Sequence, residues 1–192
     1  TSLRSAGGLR GKKGVLWWQI ERILNEVDIP YVLLENVPRI LTSPKGQRGR
    51  DFAVILKSLS DLGYVVEWRM IQADHYGAAQ RSRRTFIFAT KKRTEFGNQL
   101  QRGFHMPSLL MRTGFFAPSF KVQDMLLNGN RYHDPPIHLG DPTDAENVYD
   151  WENAGICIDG EVHTLGVTPI PDESQRKLAD VLTKGRVAKK FY

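Results

Sequence analysis

The stretch YVLLENVPRI, residues 31–40, decides what fold is expected. Its first four residues are apolar and run directly into Glu35 and Asn36, and a proline follows at position 38. A short run that is apolar on both faces is typical of a buried strand in a parallel sheet. In open α/β sheets, ligands bind beyond the carboxyl ends of such strands. Glu35 and Asn36 are therefore candidates for a functional site.

The neighbouring segments predict an alternation of helices and strands. GVLWWQIERILNEVD (14–28) and RDFAVILKSLSDLGY (50–64) have the i, i+3, i+4, i+7 apolar spacing of amphipathic helices. VVEWRMIQA (65–73) and RTFIFAT (84–90) have the composition of strands. We expect an open, mostly parallel, Rossmann-like α/β sheet, present in part.

The link between the last two of these strands is short. YGAAQRSRR (76–84) cannot hold a helical crossover, so this last strand pair is expected to be antiparallel. From about residue 94 onward, proline and glycine become frequent and periodicity fades, except in DESQRKLADVL (172–182), a predicted short helix. We expect residues 96–192 to form an irregular C-terminal extension.

Composition narrows the class of protein. The chain has 192 residues, is 41% hydrophobic and carries a net charge of +6, so it can bury a core and favours an acidic partner such as nucleic acid. No apolar run reaches the ~20 residues that span a bilayer, so no membrane partner is expected. The single cysteine, Cys157, excludes an internal disulfide framework and fits the cytoplasm. Its apolar neighbours indicate a small core residue rather than a nucleophile.

Three arginines in QRSRR precede the last of these strands. Strand alternation directs Arg81 and Arg83 to one side and Arg84 to the other, so one side could meet phosphates and the other could reach Glu35. Two plainer interpretations stay open: a basic surface turn, and a Glu35 that only caps the turn after its strand. The five histidines have no metal-ligand spacing, so no metal site is predicted.

Together these segments resemble the DNA (cytosine-5) methyltransferases. LLENV (33–37) is similar to the Glu-Asn-Val motif of that family, and YGAAQRSRRTFIFAT (76–90) to its Gln-x-Arg-x-Arg motif and the following strand. LRSAGGLRGKKGVLWWQI (3–20) resembles the loop and helix that follow the Pro-Cys motif of the family. The resemblance implies that residues 1–95 belong to an S-adenosyl-L-methionine-dependent catalytic domain and that residues 96–192 lead toward a target-recognition domain.

The resemblance also implies a chemistry. In this family a cysteine thiolate adds to C6 of a flipped cytosine, and C5 then attacks the methyl group of S-adenosylmethionine. By resemblance, Glu35 is the partner of N3 of the base and Arg84 the partner of O2. The remaining implied contacts are to double-stranded DNA for Arg4, Ser5, Gln80, Arg81 and Arg83, and to the cofactor for Leu16 and Asn36.

The sequence departs from the family pattern in two ways. Ser82 stands where the family has the middle arginine of its motif, and Arg81 or Arg83 could take over that role. By alignment, the Pro-Cys pair would precede Thr1, the cofactor-binding glycine loop would lie further upstream, and the recognition domain would follow Tyr192. We therefore expect the middle of a bacterial or phage restriction-modification methyltransferase, inactive alone, that associates with the rest of its parent chain or with a second copy. The alternative is a non-catalytic or split DNA-binding subunit on the same fold.

Overall fold

The computed structural model describes Leu9 and residues 15–102, 105–123, 132, 134–144, 146–172 and 177–182. The helices are α1 (Val15–Glu26), α2 (Arg50–Asp61), α3 (Glu95–Gln101), α4 (Met106–Ser108), which continues as a π-helical turn (Leu109–Thr113), and α5 (Leu178–Val181). The strands are β1 (Tyr31–Asn36), β2 (Tyr64–Gln72), β3 (Arg83–Lys91), β4 (Ile137–His138), β5 (Ala154–Ile158) and β6 (Glu161–Leu165). Short 3₁₀ helices follow β1 (Pro38–Thr42) and β2 (Ala73–Tyr76). The two amphipathic helices and three strands predicted in the first half are confirmed.

The six strands form one sheet in the order β1-β3-β2-β5-β6-β4, and every hydrogen-bonded pair is antiparallel. The expectation of an open, mostly parallel, Rossmann-like sheet is therefore wrong. The cause is the position of β3. β1 and β2 run in the same direction, as a strand–helix–strand crossover requires, but β3 returns between them and takes the hydrogen bonds of both. The antiparallel pairing of β2 with β3 that the short link predicts is present.

Strand register distributes the candidate residues between the two faces of the sheet. Glu35 lies opposite Phe86, which in turn lies opposite Arg69 on β2. Because side chains alternate along a strand, Arg84 shares this face with Glu35 and Arg69. Arg83 lies on the other face, opposite Gln72.

The main core lies on the face that α1 and α2 cover. Phe52 of α2 makes edge-to-face contacts with Trp68 of β2 and with Trp151. Gly155 of β5 allows the Trp68 ring to lie against the sheet, since a Cβ there would come within 2.1 Å of that ring. Cys157 is fully buried in this core, and burial raises the pKa of its thiol to about 12. The predicted core role of Cys157 is confirmed.

The opposite face is covered unevenly. α3, α4 and the segment 114–120 cover β2 and β3, and the ring of Phe115 stacks on Phe88 at 3.7 Å between centroids. β1 lies at the edge of the sheet, with no neighbour on its outer side within the described part of the chain. The side chains of Tyr31 and Leu33 are consequently exposed, Leu33 by 58%. The prediction that residues 31–34 are buried on both faces is wrong for this reason.

The second half of the chain extends the same sheet, so the expectation that residues 96–192 form an irregular extension is wrong for β5 and β6. β5 and β6 form a hairpin, and β5 continues the sheet from β2, with Cys157 opposite Val66. Of the predicted helix over 172–182, the structure describes α5, while residues 173–176 lie outside the described residues. No helix in the described ranges combines the length and apolar character needed to cross a bilayer.

Candidate active site

An ion pair joins the end of β1 to the beginning of β3. The Nε of Arg84 lies 2.6 Å from Oε1 of Glu35, and its Nη1 donates a hydrogen bond of 2.8 Å to the backbone carbonyl of Arg83. The side chains of Arg84 and Glu35 are 42% and 50% exposed. Strand alternation left open which arginine reaches Glu35, and the structure shows that it is Arg84, with both side chains accessible to a ligand.

The local chain geometry fixes this pair. The β1–β3 register holds Glu35 opposite Phe86, so that Arg84 stands diagonally across from the carboxylate. Beyond β1, Oδ1 of Asn36 accepts the backbone N–H of Val37 at 2.9 Å, and the 3₁₀ helix then turns the chain away. The strand therefore ends directly after Glu35 and Asn36, and their side chains stay accessible.

The pair presents two complementary groups next to each other. Its contact uses Oε1 of Glu35 and Nε of Arg84, which leaves Oε2 and Nη2 for a ligand as far as the described residues go. A carboxyl group beside a guanidinium can bind a planar ring through one ring nitrogen and one adjacent carbonyl oxygen. Among the described residues, β1 is an edge strand and the Glu35 side chain is half-exposed.

The other arginines of the QRSRR segment take separate positions. Gln80 and Arg81 are exposed in the link, where Arg81 Nε lies 3.4 Å from Oδ2 of Asp74. Arg83 is also exposed, but it forms a fork on Oε1 of Gln72, with distances of 3.0 Å and 2.8 Å. The predicted separation of Arg83 from Arg84 is confirmed. Ser82 accepts the N–H of Ala73 at 2.9 Å through its backbone oxygen, so its hydroxyl takes no part in that bond.

Some predicted residues cannot be placed in this geometry. Arg4 and Ser5 lie outside the described residues, as does most of the glycine-rich segment around them. Leu16 is at the start of α1, where its side chain is exposed. The structure therefore brings Glu35 together with Arg84, places Asn36 beside Glu35 at the end of β1, and leaves the contacts of the remaining candidates open.

The structure contains a second acid and arginine that sequence reasoning missed. Glu67 and Arg69 are 0% and 1% exposed, although they lie on the same sheet face as Glu35. Oε2 of Glu67 accepts the N–H of Phe115 at 2.7 Å, and Oε1 accepts the N–H of Phe116 at 3.4 Å. Burial raises the pKa of Glu67 to about 7, while Arg69 and the two N–H donors act in the opposite direction.

Arg69 holds the stretch 110–120, which also contains the two residues bound by Glu67, through hydrogen bonds of its own. It donates hydrogen bonds to the backbone oxygens of Phe120, at 3.1 Å, and Leu110. Gly114 allows this stretch to lie close to the Glu67 side chain, since a Cβ at position 114 would be 2.6 Å from Oε2 of Glu67. The available signal was in VVEWRMIQA, where Glu67 and Arg69 stand two positions apart, on one face of a largely apolar strand.

Comparison with known proteins adds a family match. The family described as C-5 cytosine-specific DNA methylase matches residues 2–133. Over 175 residues, 90% of this chain, the sequence is 41% identical to the type II methyltransferase M.Sau3AI of Staphylococcus aureus. It is 32% identical over 126 residues, 64% of this chain, to the type II methyltransferase M.NlaIV of Neisseria lactamica. These matches cover 42% and 26% of the two relatives, so the chain spans less than half of either.

Proposed function

Because the chain belongs to the C-5 cytosine-specific DNA methylase family, we propose that it forms part of a DNA (cytosine-5) methyltransferase. Such an enzyme transfers a methyl group from S-adenosyl-L-methionine to C5 of cytosine in DNA. The observation that carries the proposal is the contact of 2.6 Å between Glu35 and Arg84 at the end of β1. This is where the family resemblance expects the groups that hold the cytosine ring.

The two side chains have different roles in the proposal. Glu35 would hydrogen-bond N3 of a cytosine that has left the duplex, and Arg84 would donate to O2. Arg84 already holds Glu35 in place, so the carboxyl group needs little reorganisation when the base arrives. The pair is half-exposed here, and a docked DNA strand would exclude water from it. Exclusion of water strengthens every electrostatic interaction within the site.

The cofactor would supply the methyl group when it is bound. Leu16 and Asn36 are its proposed contacts, and both side chains are open to solvent. An exposed apolar side chain and an exposed amide suit the ring and the polar edge of an adenosyl group. Since Oδ1 of Asn36 already accepts the N–H of Val37, the NH₂ of that amide is the group left to donate to a ligand.

Double-stranded DNA is the proposed substrate and partner. The net charge of +6 favours a polyanion. Gln80, Arg81 and Arg83 are exposed close to the Glu35–Arg84 pair in sequence and are proposed to contact the DNA, together with Arg4 and Ser5. We further propose a cytoplasmic enzyme of a restriction-modification system, in keeping with relatives that are named type II methyltransferases.

The proposed organisation places residues 1–95 in the catalytic domain and residues 96–192 on the way to a target-recognition domain. The outer edge of β1, with Tyr31 and Leu33 exposed, supports association with another part of the parent chain or with a second copy. Sedimentation of the chain at several concentrations tests this association. A monomer at every concentration, with a sharp unfolding transition at high temperature, would contradict it.

A split or non-catalytic DNA-binding subunit is the second candidate, and one observation favours it. Cys157 is the single cysteine of the chain, and its thiol is buried with a pKa of about 12. A thiolate for addition to C6 would therefore have to come from elsewhere. We expect the 192 residues alone to transfer no methyl group to duplex DNA.

The deciding experiment replaces the matching part of M.Sau3AI with this chain. The chimera and the isolated chain are each incubated with labelled S-adenosylmethionine and mixed-sequence duplex. Transfer to cytosine by the chimera alone supports the methyltransferase proposal. A chimera that binds duplex and cofactor but transfers nothing supports the non-catalytic alternative. Transfer by the isolated chain would refute the expectation that its thiol must come from elsewhere.

A further inference from the structure

A cavity of about 230 Å³ opens where β2 ends and β3 begins. Its walls come from both of these strands, from the 3₁₀ helix after β2 and from the second half of the chain. The lining residues are Arg69, Met70, Gln72, His75, Tyr76, Arg83, Val122, Asn153, Val167 and Pro169. Neither Glu35 nor Arg84 is among them, so this cavity is separate from the candidate active site.

The lining has one sign of charge. Arg69 and Arg83 are cationic, and none of the ten lining residues is acidic. Asp74 lies on the same 3₁₀ helix as His75, but its carboxylate is within 3.4 Å of Arg81. Glu67 is two residues from Arg69, and its oxygens accept two backbone N–H groups. Asp172 also lies beside the cavity, since its backbone N–H donates to the carbonyl oxygen of His75 at 2.8 Å. Within the lining itself, the charge favours an anion over a cation or a neutral molecule.

Arg69 supplies a donor that has no partner within the described ranges. Its two Nη atoms are held by backbone oxygens, while its Nε is buried and forms no hydrogen bond there. A buried donor without a partner is unfavourable, and an acceptor that entered from the cavity would relieve this cost. Since the guanidinium is already fixed by two hydrogen bonds, a ligand would not have to order it.

The opening of the cavity carries further donors in a connected series. Arg83 donates through Nε and Nη2 to Oε1 of Gln72, and Nε2 of Gln72 lies 3.2 Å from Nε2 of His75. Arg83 is exposed and can exchange its amide acceptor for a charged one. Guanidinium groups bind the oxygens of phosphate in a fork, with stronger hydrogen bonds than they make to an amide.

We propose that this cavity, the Arg69 pocket, binds an oxyanion of the phosphate class. Arg69 would hold it from within the fold, and Arg83 and His75 would hold it at the opening. The volume admits a tetrahedral anion, and the apolar lining residues Met70, Val122, Val167 and Pro169 leave space for a sugar or base attached to it. The anion can be a DNA backbone phosphate, a source that depends on the proposed function, or a free phosphate or nucleotide.

Titration with inorganic phosphate tests the pocket. Binding is followed by calorimetry and by the NMR resonance of the Arg69 Nε–H, at constant ionic strength set with chloride. We expect saturable binding that shifts this resonance. Arg83→Met should weaken the affinity about tenfold, as loss of about 1.4 kcal/mol predicts. The matched control is Arg22→Met, which removes an equal charge from an exposed ion pair on α1 and should leave the affinity unchanged.

Two results would refute the proposal that the Arg69 pocket binds phosphate. One is no saturable binding by the wild-type chain, and the other is the same loss of affinity in Arg83→Met and Arg22→Met. Arg69→Met should abolish binding if it folds, and the Arg83 comparison decides the question if it does not. Duplex DNA is then added as a competitor. Displacement of phosphate identifies the DNA backbone as the source of the anion, and simultaneous binding identifies a free phosphate. Phosphate binding without any duplex binding would keep the pocket and refute DNA as the partner.

Discussion

The same sheet face carries two sets of an acid and an arginine in opposite environments. Glu35 and Arg84 touch at 2.6 Å and are 50% and 42% exposed, whereas Glu67 and Arg69 are 0% and 1% exposed. The exposed pair consists of two side chains that bind each other. The buried residues instead bind the backbone of the segment 110–120. Burial therefore separates a pair that can exchange its partner for a ligand from residues whose hydrogen bonds fix a loop, with only Nε of Arg69 left for the proposed anion.

The largest effect should come from the exposed pair and should appear in catalysis. Glu35→Gln, made in a methyltransferase chain that holds these residues together with a Pro-Cys motif, should lower the methylation rate by about 10²–10⁴-fold, since a neutral amide is a poor source of a proton for N3. Affinity for DNA, measured by fluorescence anisotropy, should stay near normal. The control is Glu26→Gln, which breaks the exposed Arg22–Glu26 pair of α1. An unchanged rate in Glu35→Gln would refute the assigned role.

The next effect should come from the buried residues, Glu67 and Arg69, and should appear in the stability of the fold. Arg69→Met removes the donors to Phe120 and Leu110 and the positive charge nearest to Glu67. We expect the free energy of unfolding to fall by about 3–5 kcal/mol, as is usual when a buried charge loses its compensation. Urea denaturation measures this value. Arg84→Met should lose about 1 kcal/mol or less by the same method. Equal losses would remove the distinction between the two sets.

The third effect is a dependence of stability on pH. Burial raises the pKa of Glu67 from 4.5 to about 7, so the folded chain binds this proton more tightly than the unfolded chain. The resulting stabilisation is complete below the unfolded pKa and is lost as pH rises through about 7, by at most about 3 kcal/mol. Glu67→Gln keeps an oxygen acceptor but has no proton to lose. Between pH 5 and 8, wild type should therefore lose more stability than this variant in urea unfolding. Parallel curves for the two would disprove the assignment.

The smallest effect concerns what the exposed pair contributes to folding. A double-mutant cycle of Glu35→Gln and Arg84→Gln should give a coupling of about 0.2–1 kcal/mol in the free energy of unfolding, because half-exposed ion pairs are screened by water. This coupling should shrink further when salt is added. A coupling of several kcal/mol would mean that Glu35 and Arg84 stabilise the fold as Glu67 and Arg69 do, and the two sets would then not differ in this respect.

Sequence patterns located the Glu35–Arg84 site because its position depends on where strands begin and end. The end of YVLLEN and the start of RTFIFAT each follow from local composition, and strand alternation places Arg83 and Arg84 on opposite faces. The family resemblance, rather than the alternation, assigned Arg84 to the same base as Glu35. The prediction of a mostly parallel sheet was wrong because local sequence patterns do not show which strand lies between two others. β3 separates β1 from β2, and this follows from its long-range pairing alone.

The buried set and the exposed edge show two further limits of sequence reasoning. The partners of Glu67 and Arg69 are backbone groups of the segment 110–120, and any residue type can supply such groups. Leu33 has the apolar character of a buried residue but is 58% exposed, because the described elements that cover its face of the sheet lie over β2 and β3 rather than over β1. Apolar character predicts that a residue favours burial, but the surrounding chain decides whether anything covers it.

Cys157 can serve as a chemical probe of local opening in the folded chain. The thiol lies on β5 opposite Val66 of β2, where the strands of the first half meet those of the second. With a pKa of about 12 it holds almost no thiolate at neutral pH and is closed to reagents. The thiol of an unfolded cysteine has a pKa of about 8.5 and is alkylated readily. Because the chain has one cysteine, the rate at which iodoacetamide labels it in native buffer reports openings of the core between α2 and the sheet that expose this thiol.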